Sequence, residues 1–426
     1  MVTYKYRIYP RTKQEETLNG WLGQLRFVWN NLLAANNVQY SATKTFAFKN
    51  EMSARLPQLK KDHEWIDAPA ISLQNKLRDL DQAMKNCFKY GCGYPKFKSK
   101  HRDNSGIEIA QIVSKEKITG KILYKNIKWN KSHITIPKLG DVNWVYHRRI
   151  TGRLLSITIK RDVDQWYVCC LATQTKKKIR TAFDRTECVG IDLGLKDFFV
   201  SSDGEIAITP KIYRNKQDKL KQRQRRLSKK QKGSANRSKA RITVARLHRS
   251  IRNTRLDWHH KLSSSITKNY SVVLVEDLNI AGMIKNRSLA KAIQDQGWYQ
   301  FIAQLEYKTK WNGGLLHKID RWAASTKTCS CCGSTKTLTL SDRTYICSNC
   351  DNIMDRDLNS AINILNWGIN EINTAGTAEI YACGDISVGD ILEDSSLDSY
   401  NISSHVSLKH EIISSLEEAA CSLDAR

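Results

Sequence analysis

Several acidic residues set among apolar neighbours are the first sign of chemistry in this chain. Asp192 interrupts the strand-like run CVGIDLGLKDFFV (188–200), between Ile191 and Leu193. Glu276 closes a second apolar run, SVVLVEDLNI (271–280), with Asp277 beside it as a rival. Asp355 and Asp357 open DRDLNSAINIL (355–365), which continues as a helix with Ala361, Ile362 and Leu365 inward. A carboxylate in apolar surroundings is costly unless a cation or donor meets it. For any one of these acids a turn or a helix cap explains it as well. Three such stretches, on two strands and a helix, can converge at one sheet edge. A cleft of that kind holds two divalent cations about 4 Å apart for in-line phosphodiester cleavage. Oxygen ligands suit hard ions such as magnesium. Alternation puts Glu276 on the face of Val272 and Leu274 and Asp277 on the other, without saying which face looks into the cleft.

The second chemical signature is sulfur. CSCCG (329–333) and CSNCD (347–351) give C-x2-C, fourteen intervening residues and C-x2-C again. Two turns that each offer two thiolates make a closed, tetrahedral zinc site, structural rather than catalytic. Cys329, Cys332, Cys347 and Cys350 carry the standard spacing, and Cys331 is an extra thiol that can stand in for either of the first pair.

The elements that must position these groups follow from pattern. Residues 188–200 read as strand, tight turn and strand, and Gly204–Thr209 adds a third. An acid on the first of three consecutive strands fits an RNase H-like sheet. Lys211–Arg255 follows with 18 Lys/Arg and one acid, Asp218; two helices with a turn at Gly233–Ser234 fit it best. Acids at i±4 that would pair an exposed cationic helix are missing, so the charge needs an outside polyanion. Arg223, Arg225, Arg226, Lys229 and Lys230 are the candidate phosphate contacts. Trp298–Trp311 reads as an amphipathic helix and Gly314–Ile319 as a short strand.

Upstream, Val2–Tyr9 alternates as a strand, Thr12 is placed to cap a helix from Lys13 to about Ala35, and Phe48–Leu56 and Ala70–Tyr90 are further helices, with breaks at Pro57 and Pro69. Tyr94–Arg102 (YPKFKSKHR) interleaves aromatics with cations, as phosphate contacts with base stacking do. Lys96 and Lys98 are its candidates. Strand-like stretches at Ile122–Trp129, His133–Pro137, Val142–His147, Leu154–Lys160 and Gln165–Leu171 predict a small antiparallel barrel or sandwich that Val2–Tyr9 joins. Lys176–Arg180 is a basic linker.

Composition narrows the partner. The 426 residues carry 69 basic and 42 acidic side chains, a net +27. Residues 371–426 hold only two basic against eleven acidic, about −9, which leaves about +36 on the rest. A surplus of that size points to nucleic acid before an anionic membrane. No apolar run approaches the ~20 residues of a membrane span. Twelve cysteines without a secretory leader fit a reducing cytosol with some thiols on metal.

The ordered set IDLG, basic hairpin, VEDLNIAGM, CSxCG, CxxC and DRDxNxAxNIL resembles the transposon-encoded TnpB (OrfB) family, relatives of type V CRISPR effectors. RIYPRTKQEETLNGWLGQLRFVWNNLL, GYPKFKSK and NTAGTAEIYACGD extend the resemblance over about residues 4–385. The resemblance implies an α+β multidomain protein. Its parts would be a β-barrel (wedge) from residues 1–10 and 107–180, a helical recognition module at 11–106, and an RNase H-like (RuvC) nuclease at 181–328 and 351–370. A zinc ribbon at 329–350 would be inserted in the nuclease, and an acidic tail, 371–426, would follow. It implies Asp192, Glu276 and Asp357 as catalytic acids on two Mg²⁺ ions, and Cys329, Cys332, Cys347 and Cys350 on structural Zn²⁺. It further implies cleavage of double-stranded DNA beside a short duplex motif, under a guide RNA from the transposon end. Gln74 and Lys76 are candidates for contacts to that motif. The expected particle is a monomeric ribonucleoprotein in the prokaryotic cytoplasm, on the nucleoid when bound to DNA. Strand transfer by the same acids, and guided binding without cutting, are the other readings.

Overall fold

A computed structural model describes residues 1–100, 106–115, 122–174, 180, 183–210, 212–339 and 342–382. The acidic tail beyond Ala382, most of the basic linker and the end of the YPKFKSKHR stretch lie outside them. The contacts divide the chain into two compact units, with the boundary between Thr175 and Lys176.

The first unit opens with β1 (Val2–Tyr9), whose Val2, Tyr4, Tyr6 and Ile8 are buried in strict alternation. Three helices follow: α1 (Thr12–Thr43), α2 (Lys49–Asp62) and α3 (Ala70–Tyr90). The cap of α1 is Arg11 rather than Thr12. Gln14 does the capping: its side-chain oxygen accepts from Arg11 N (2.9 Å), and its amide donates to the carbonyls of Leu139 and Asp141. This helix runs a further two turns past Ala35. The predicted break at Pro57 is also absent, because buried Met52, Leu56 and Leu59 hold α2 together through it.

Then come β2 (Ile107–Ala110), β3 (Val113–Lys115), β4 (Ile122–Tyr124), β5 (Lys128–Trp129), β6 (His133–Ile136), β7 (Gly140–Trp144), β8 (Leu154–Asp162) and β9 (Gln165–Ala172). Seven strands form one antiparallel sheet in the order β2-β8-β9-β1-β7-β6-β5, so β1 does join it. Residues 122–129 are two strands and not one. Asn126 makes the bend, its side chain donating to Ala110 O and accepting from Ile112 N (2.6 Å each). Gln111 bonds Ile127 through both its oxygen and its amide (3.1 and 3.2 Å). Side-chain amides, in place of strand pairing, thus bridge the two ends of the sheet.

The second unit is built on five strands. β10 (Cys188–Leu193), β11 (Phe199–Ser201) and β12 (Ile206–Ala207) form an antiparallel meander. α4 (Ile212–Ser228) and α5 (Ala235–Asn269) intervene before β13 (Val272–Glu276), parallel to β10. Short α6 (Ile280–Met283) and α7 (Ala290–Gln296) lead to α8 (Trp298–Asn312) and β14 (Leu315–Ile319), parallel to β13. The sheet order is β12-β11-β10-β13-β14. A hairpin of β15 (Thr344–Ile346) and β16 (Ile353–Asp355) precedes α9 (Arg356–Ala382).

The two faces of this sheet bury different partners. Val189, Ile191, Val273 and Val275 pack with Trp298, Phe301 and Leu305 of α8. Cys188, Val272, Leu274 and Leu315 pack with Ile364, Leu365 and Ile372 of α9. α9 approaches β10 closely enough that a Cβ on Gly190 would lie 2.2 Å from Ala361 O. The predicted hairpin turn is real: Gly233 has φ +86 and Ser234 caps α5 by accepting from Arg237 N. α5 does not end near Arg255 but runs on to Asn269, because Ile266 and Thr267 are buried in the sheet unit.

Candidate functional site

The faces decide which acids meet. On β10, Cys188, Gly190 and Asp192 share one side by alternation, and this is the side covered by α9. On β13, Val272, Leu274 and Glu276 share the same side. The parallel register sets Ile191 beside Val275. The next residues, Asp192 and Glu276, follow that last pair on adjacent strands, whose usual spacing is about 5 Å. α9, lying over both, carries Asp357 in its first turn.

The electrostatics record the convergence. Burial, then the charges of Glu276 and Asp357, push Asp192 up to about 8, against the relief offered by Arg356. Burial also raises Glu276, although Ser325 Oγ donates to its carboxylate. Ser325 is in turn bonded by Ser360 of α9 (3.0 Å). Asp357 is met by Arg356 (3.0 Å) and, more distantly, by Arg343 (3.9 Å). Three hard oxygen donors, two of which raise the third, are the kind of ligand a divalent cation such as Mg²⁺ takes, although their oxygens do not all lie within 4.8 Å of one another as the cysteine sulfurs do.

The rivals are occupied elsewhere. Asp277 is clasped by Arg321 (2.5 Å), with Lys318 at 4.0 Å. Asp355 is the cap of α9: its Oδ1 accepts from the backbone N–H of Asp357 (2.9 Å) and Leu358 (3.1 Å). Ser325, Ser360 and Arg343 escape the sequence reading, since a serine or arginine outside any motif carries no signal until the fold brings it to an acid.

The four cysteines form the one group among the described residues whose metal-ligand atoms all lie within 4.8 Å of one another. Cys329 and Cys350 sulfurs are 3.7 Å apart and those of Cys332 and Cys347 are 3.5 Å apart. A tetrahedral zinc with sulfur at ~2.3 Å would give edges of about 3.8 Å, so the cage fits. Each corner is shaped by local backbone bonds: Gly333 N to Cys329 O (2.9 Å), with Gly333 at φ +74, and Cys347 N to Asn352 O (2.9 Å). Hydrogen bonds from Asn349 and then Ser334 draw the Cys332 thiol down to about 5, toward the thiolate that binds metal. Cys331 is exposed and outside the group.

The charged candidates divide. Arg225 and Arg226 on α4 and Lys229 and Lys230 just after it are exposed, and Arg225, Arg226 and Lys229 line one open groove with Lys221. Arg223 instead donates to Thr243 O across the hairpin (3.3 Å). A small apolar seam of Ile212, Leu220, Val244, Leu247 and Ile251 holds these helices together, so this is a folded arm. Lys96 is exposed, while Lys98 lies over the Trp29 ring at 4.2 Å. Asn30 pins that strip by bonding Lys98 N and O. Gln74 is exposed, but its companion Lys76 is buried and paired with Asp79 (2.6 Å). No helix among the described residues is long and apolar enough to cross a membrane.

Comparison with known proteins bears on the same regions. A family model described as "Probable transposase" (OrfB, IS605) matches residues 169–287, and a "Cas12f1-like, TNB domain" model matches 298–364. A model described as a helix-turn-helix domain matches residues 1–45, where the structure has one strand and one uninterrupted helix. The chain is 33% identical to a Streptomyces pristinaespiralis protein named "Putative RNA-guided DNA endonuclease", over 86% of this chain and 89% of that one. It is 30% identical to the Escherichia coli K12 protein of the same name, InsQ, over 90% and 94%. A solved structure, "Cryo-EM structure of the Cas12f1-sgRNA-target DNA complex", shares the fold with a TM-score of 0.56 at 16% identity, covering 84% of this chain and 83% of that one.

Proposed function

The chain belongs to the TnpB (OrfB) family, and from that premise we propose that it is an RNA-guided DNA endonuclease with a RuvC-like centre formed by Asp192, Glu276 and Asp357. The observation that carries this is the register that sets Asp192 beside Glu276 on the face covered by α9. The sheet supports an RNase H-like reading: a three-strand antiparallel meander, then two strands parallel to its first, in the order third, second, first, fourth, fifth. Two magnesium ions bound by the three acids would supply activation of the attacking water and stabilisation of the leaving oxygen. Within the protein, Ser325 fixes the Glu276 carboxylate, and Arg356 and Arg343 lean on Asp357. Cys329, Cys332, Cys347 and Cys350 would hold a structural zinc in a ribbon at 329–350, leaving no open position for catalysis.

The recognition side follows from charge. Arg225, Arg226, Lys229 and Lys230 suit the phosphates of a guide RNA or its heteroduplex, with base pairing supplying sequence choice. The barrel of residues 1–10 and 107–180 would serve as the wedge and the helices of 11–106 as the recognition module for a short duplex motif. Exposed Gln74 and Lys96 remain candidates there, and buried Lys76 serves α3 itself. A transposon-end guide, a monomeric particle and a cytoplasmic, nucleoid-associated location belong to the same reading.

The test is direct. The protein is purified with RNA transcribed from downstream of its gene, and the bound RNA is sequenced. The particle is then given a plasmid library with a fixed target and random flanks, with Mg²⁺ or EDTA. Discrete bound RNA and Mg²⁺-dependent loss of particular flanks, absent in Asp192→Ala, is the expected result. RNA binding without depletion would favour a non-cleaving regulator. Strand-joined products without bound RNA would favour a transposase.

A further inference from the structure

The segment Asp320–Ser325, between β14 and the first cysteine turn, is tied down at both ends. Arg321 bonds Asp277 through its carboxylate (2.5 Å) and its carbonyl (3.1 Å). Buried Ser325 donates to Glu276, and its carbonyl accepts from Asn363 of α9 (2.8 Å). Between these anchors Trp322 N donates to Asp320 Oδ1 (2.9 Å) and Ala323 N to Asp320 O (3.1 Å). The turn is thus fixed to Glu276 on one side and to its neighbour Asp277 on the other.

At its crest the Trp322 side chain is 86% exposed, more than any other large hydrophobic residue among those described. An indole left in water on a turn this well anchored is not filling a core. Its backbone lies within about 11 Å of that of Ser325, the residue that holds Glu276. Lys318 and Arg321 stand on the same stretch but both face Asp277, and Asp320 lies beside them, so the local charge is balanced; it is the chain's net +27 that favours a polyanion over an apolar protein face.

We propose that Trp322 is a stacking platform for an unpaired nucleobase of the DNA strand entering the acid site, a residue that positions the scissile phosphate. The proposal rests on the endonuclease reading above. Every base presents a π-face, so stacking on an indole is indifferent to sequence. That suits an enzyme whose sequence choice is delegated to a guide.

The experiment uses the whole ribonucleoprotein with Mg²⁺ and a matched target, comparing wild type, Trp322→Ala and Trp322→Phe. Single abasic sites are stepped through the cut region of each strand. Trp322→Ala should slow single-turnover cutting about 5- to 100-fold, with guided DNA binding, zinc content and melting temperature unchanged, and Trp322→Phe should fall between. One or two abasic positions should slow the wild type comparably and add nothing in Trp322→Ala. Equal rates in wild type and Trp322→Ala, or abasic penalties of the same size in both, would overturn the stacking role while leaving the endonuclease standing. A wild type that binds guide and target yet cuts nothing overturns the endonuclease reading, and this one with it.

Discussion

The acid site and the cysteine site lie only a few residues apart in sequence, at Cys350 and Asp357, yet they are assembled on opposite plans. The cysteines come from two turns within 22 residues, and each turn is set by its own backbone bonds, Gly333 to Cys329 and Cys347 to Asn352. Their sulfurs already stand at the spacing of a tetrahedron. The acids come from positions 192, 276 and 357 and meet only because β10 and β13 pair in one register and α9 lies over both. Their closeness is electrostatically uphill, as the rise of Asp192 to about 8 records. A local site can be neutral toward the rest of the fold. A long-range site stores its tension in the fold that holds it.

Removing one acid should expose that tension most strongly. Asp192→Asn should cost cutting at least about 10²- to 10³-fold, the scale of losing a main charge stabiliser, while zinc content stays at one per chain. It should also make the magnesium-free protein more stable. Asp192 is raised from 3.8 to about 8 in the folded chain. Between those values the folded state holds a proton that the unfolded state has lost, so stability falls as pH climbs from about 4 to about 8 and levels above. Melting curves in magnesium-free buffer should show that decline in wild type and much less of it in Asp192→Asn. A wild-type curve flat over this window would mean that the three acids are not crowded, and the contrast between the sites would collapse.

The converse change tests whether the local site is as independent as it looks. Cys347→Ser should lose the zinc, whose binding in such modules is worth on the order of 10 kcal/mol of local folding. Three bonds tie the first knuckle to α9: Asn359 to Ser330 N (2.9 Å) and to Thr328 O (2.7 Å), and Asn363 to Thr328 O (2.6 Å). The knuckle therefore steadies the helix that carries Asp357. Metal analysis, limited proteolysis within 329–350 and cutting rate should all move together. Full cutting without zinc would show that the two sites share sequence neighbourhood and nothing more.

The same contrast explains what could be read before the fold was known. The cysteine spacing is a local fact, and it singled out the four thiols that the structure brings together, with Cys331 left outside. The acid stretches were visible as carboxylates in apolar runs. The choice between Glu276 and Asp277 was not, because alternation defines two faces without naming the one that α9 covers. Asp355 and Asp357 looked equivalent until the backbone N–H groups of α9 were seen to claim the first. Upstream, the end of α1 and the run of α2 through Pro57 were missed because packing of residues such as Met52 and Leu59 outweighs a local breaker. Lys76 read as a surface cation and is buried against Asp79, a pairing three residues away that charge counting does not see.

A smaller effect should follow from the closest approach in the acid site's scaffold. A Cβ on Gly190 would meet Ala361 O at 2.2 Å and Leu365 N at 2.6 Å, both backbone atoms that cannot swing aside. Gly190→Ala should lift α9 from β10 and cost about 1–3 kcal/mol, read as a drop in denaturation midpoint. Cutting should fall beyond what the stability loss explains, because Asp357 moves with the helix. A variant with the stability loss and an unchanged rate in the folded fraction would free Asp357 from that packing.

The smallest change separates the two neighbouring acids of α9. Asp355 spends its side chain on the helix N-terminus, where replacing a cap by alanine costs about 1 kcal/mol. Asp357, one position into the helix, has its carboxylate among the acids and raises Asp192. Asp355→Ala should therefore lower stability by that modest amount and slow cutting no more than a few-fold, whereas Asp357→Asn should match Asp192→Asn in lost cutting with little loss of stability. Because the two residues lie only two positions apart at the same helix start, any effect of disturbing that start is common to both, and the difference between them isolates the carboxylate that reaches the site. If Asp355→Ala proves the more damaging to cutting, the cap itself belongs to the acid site, and the helix start takes part in it directly.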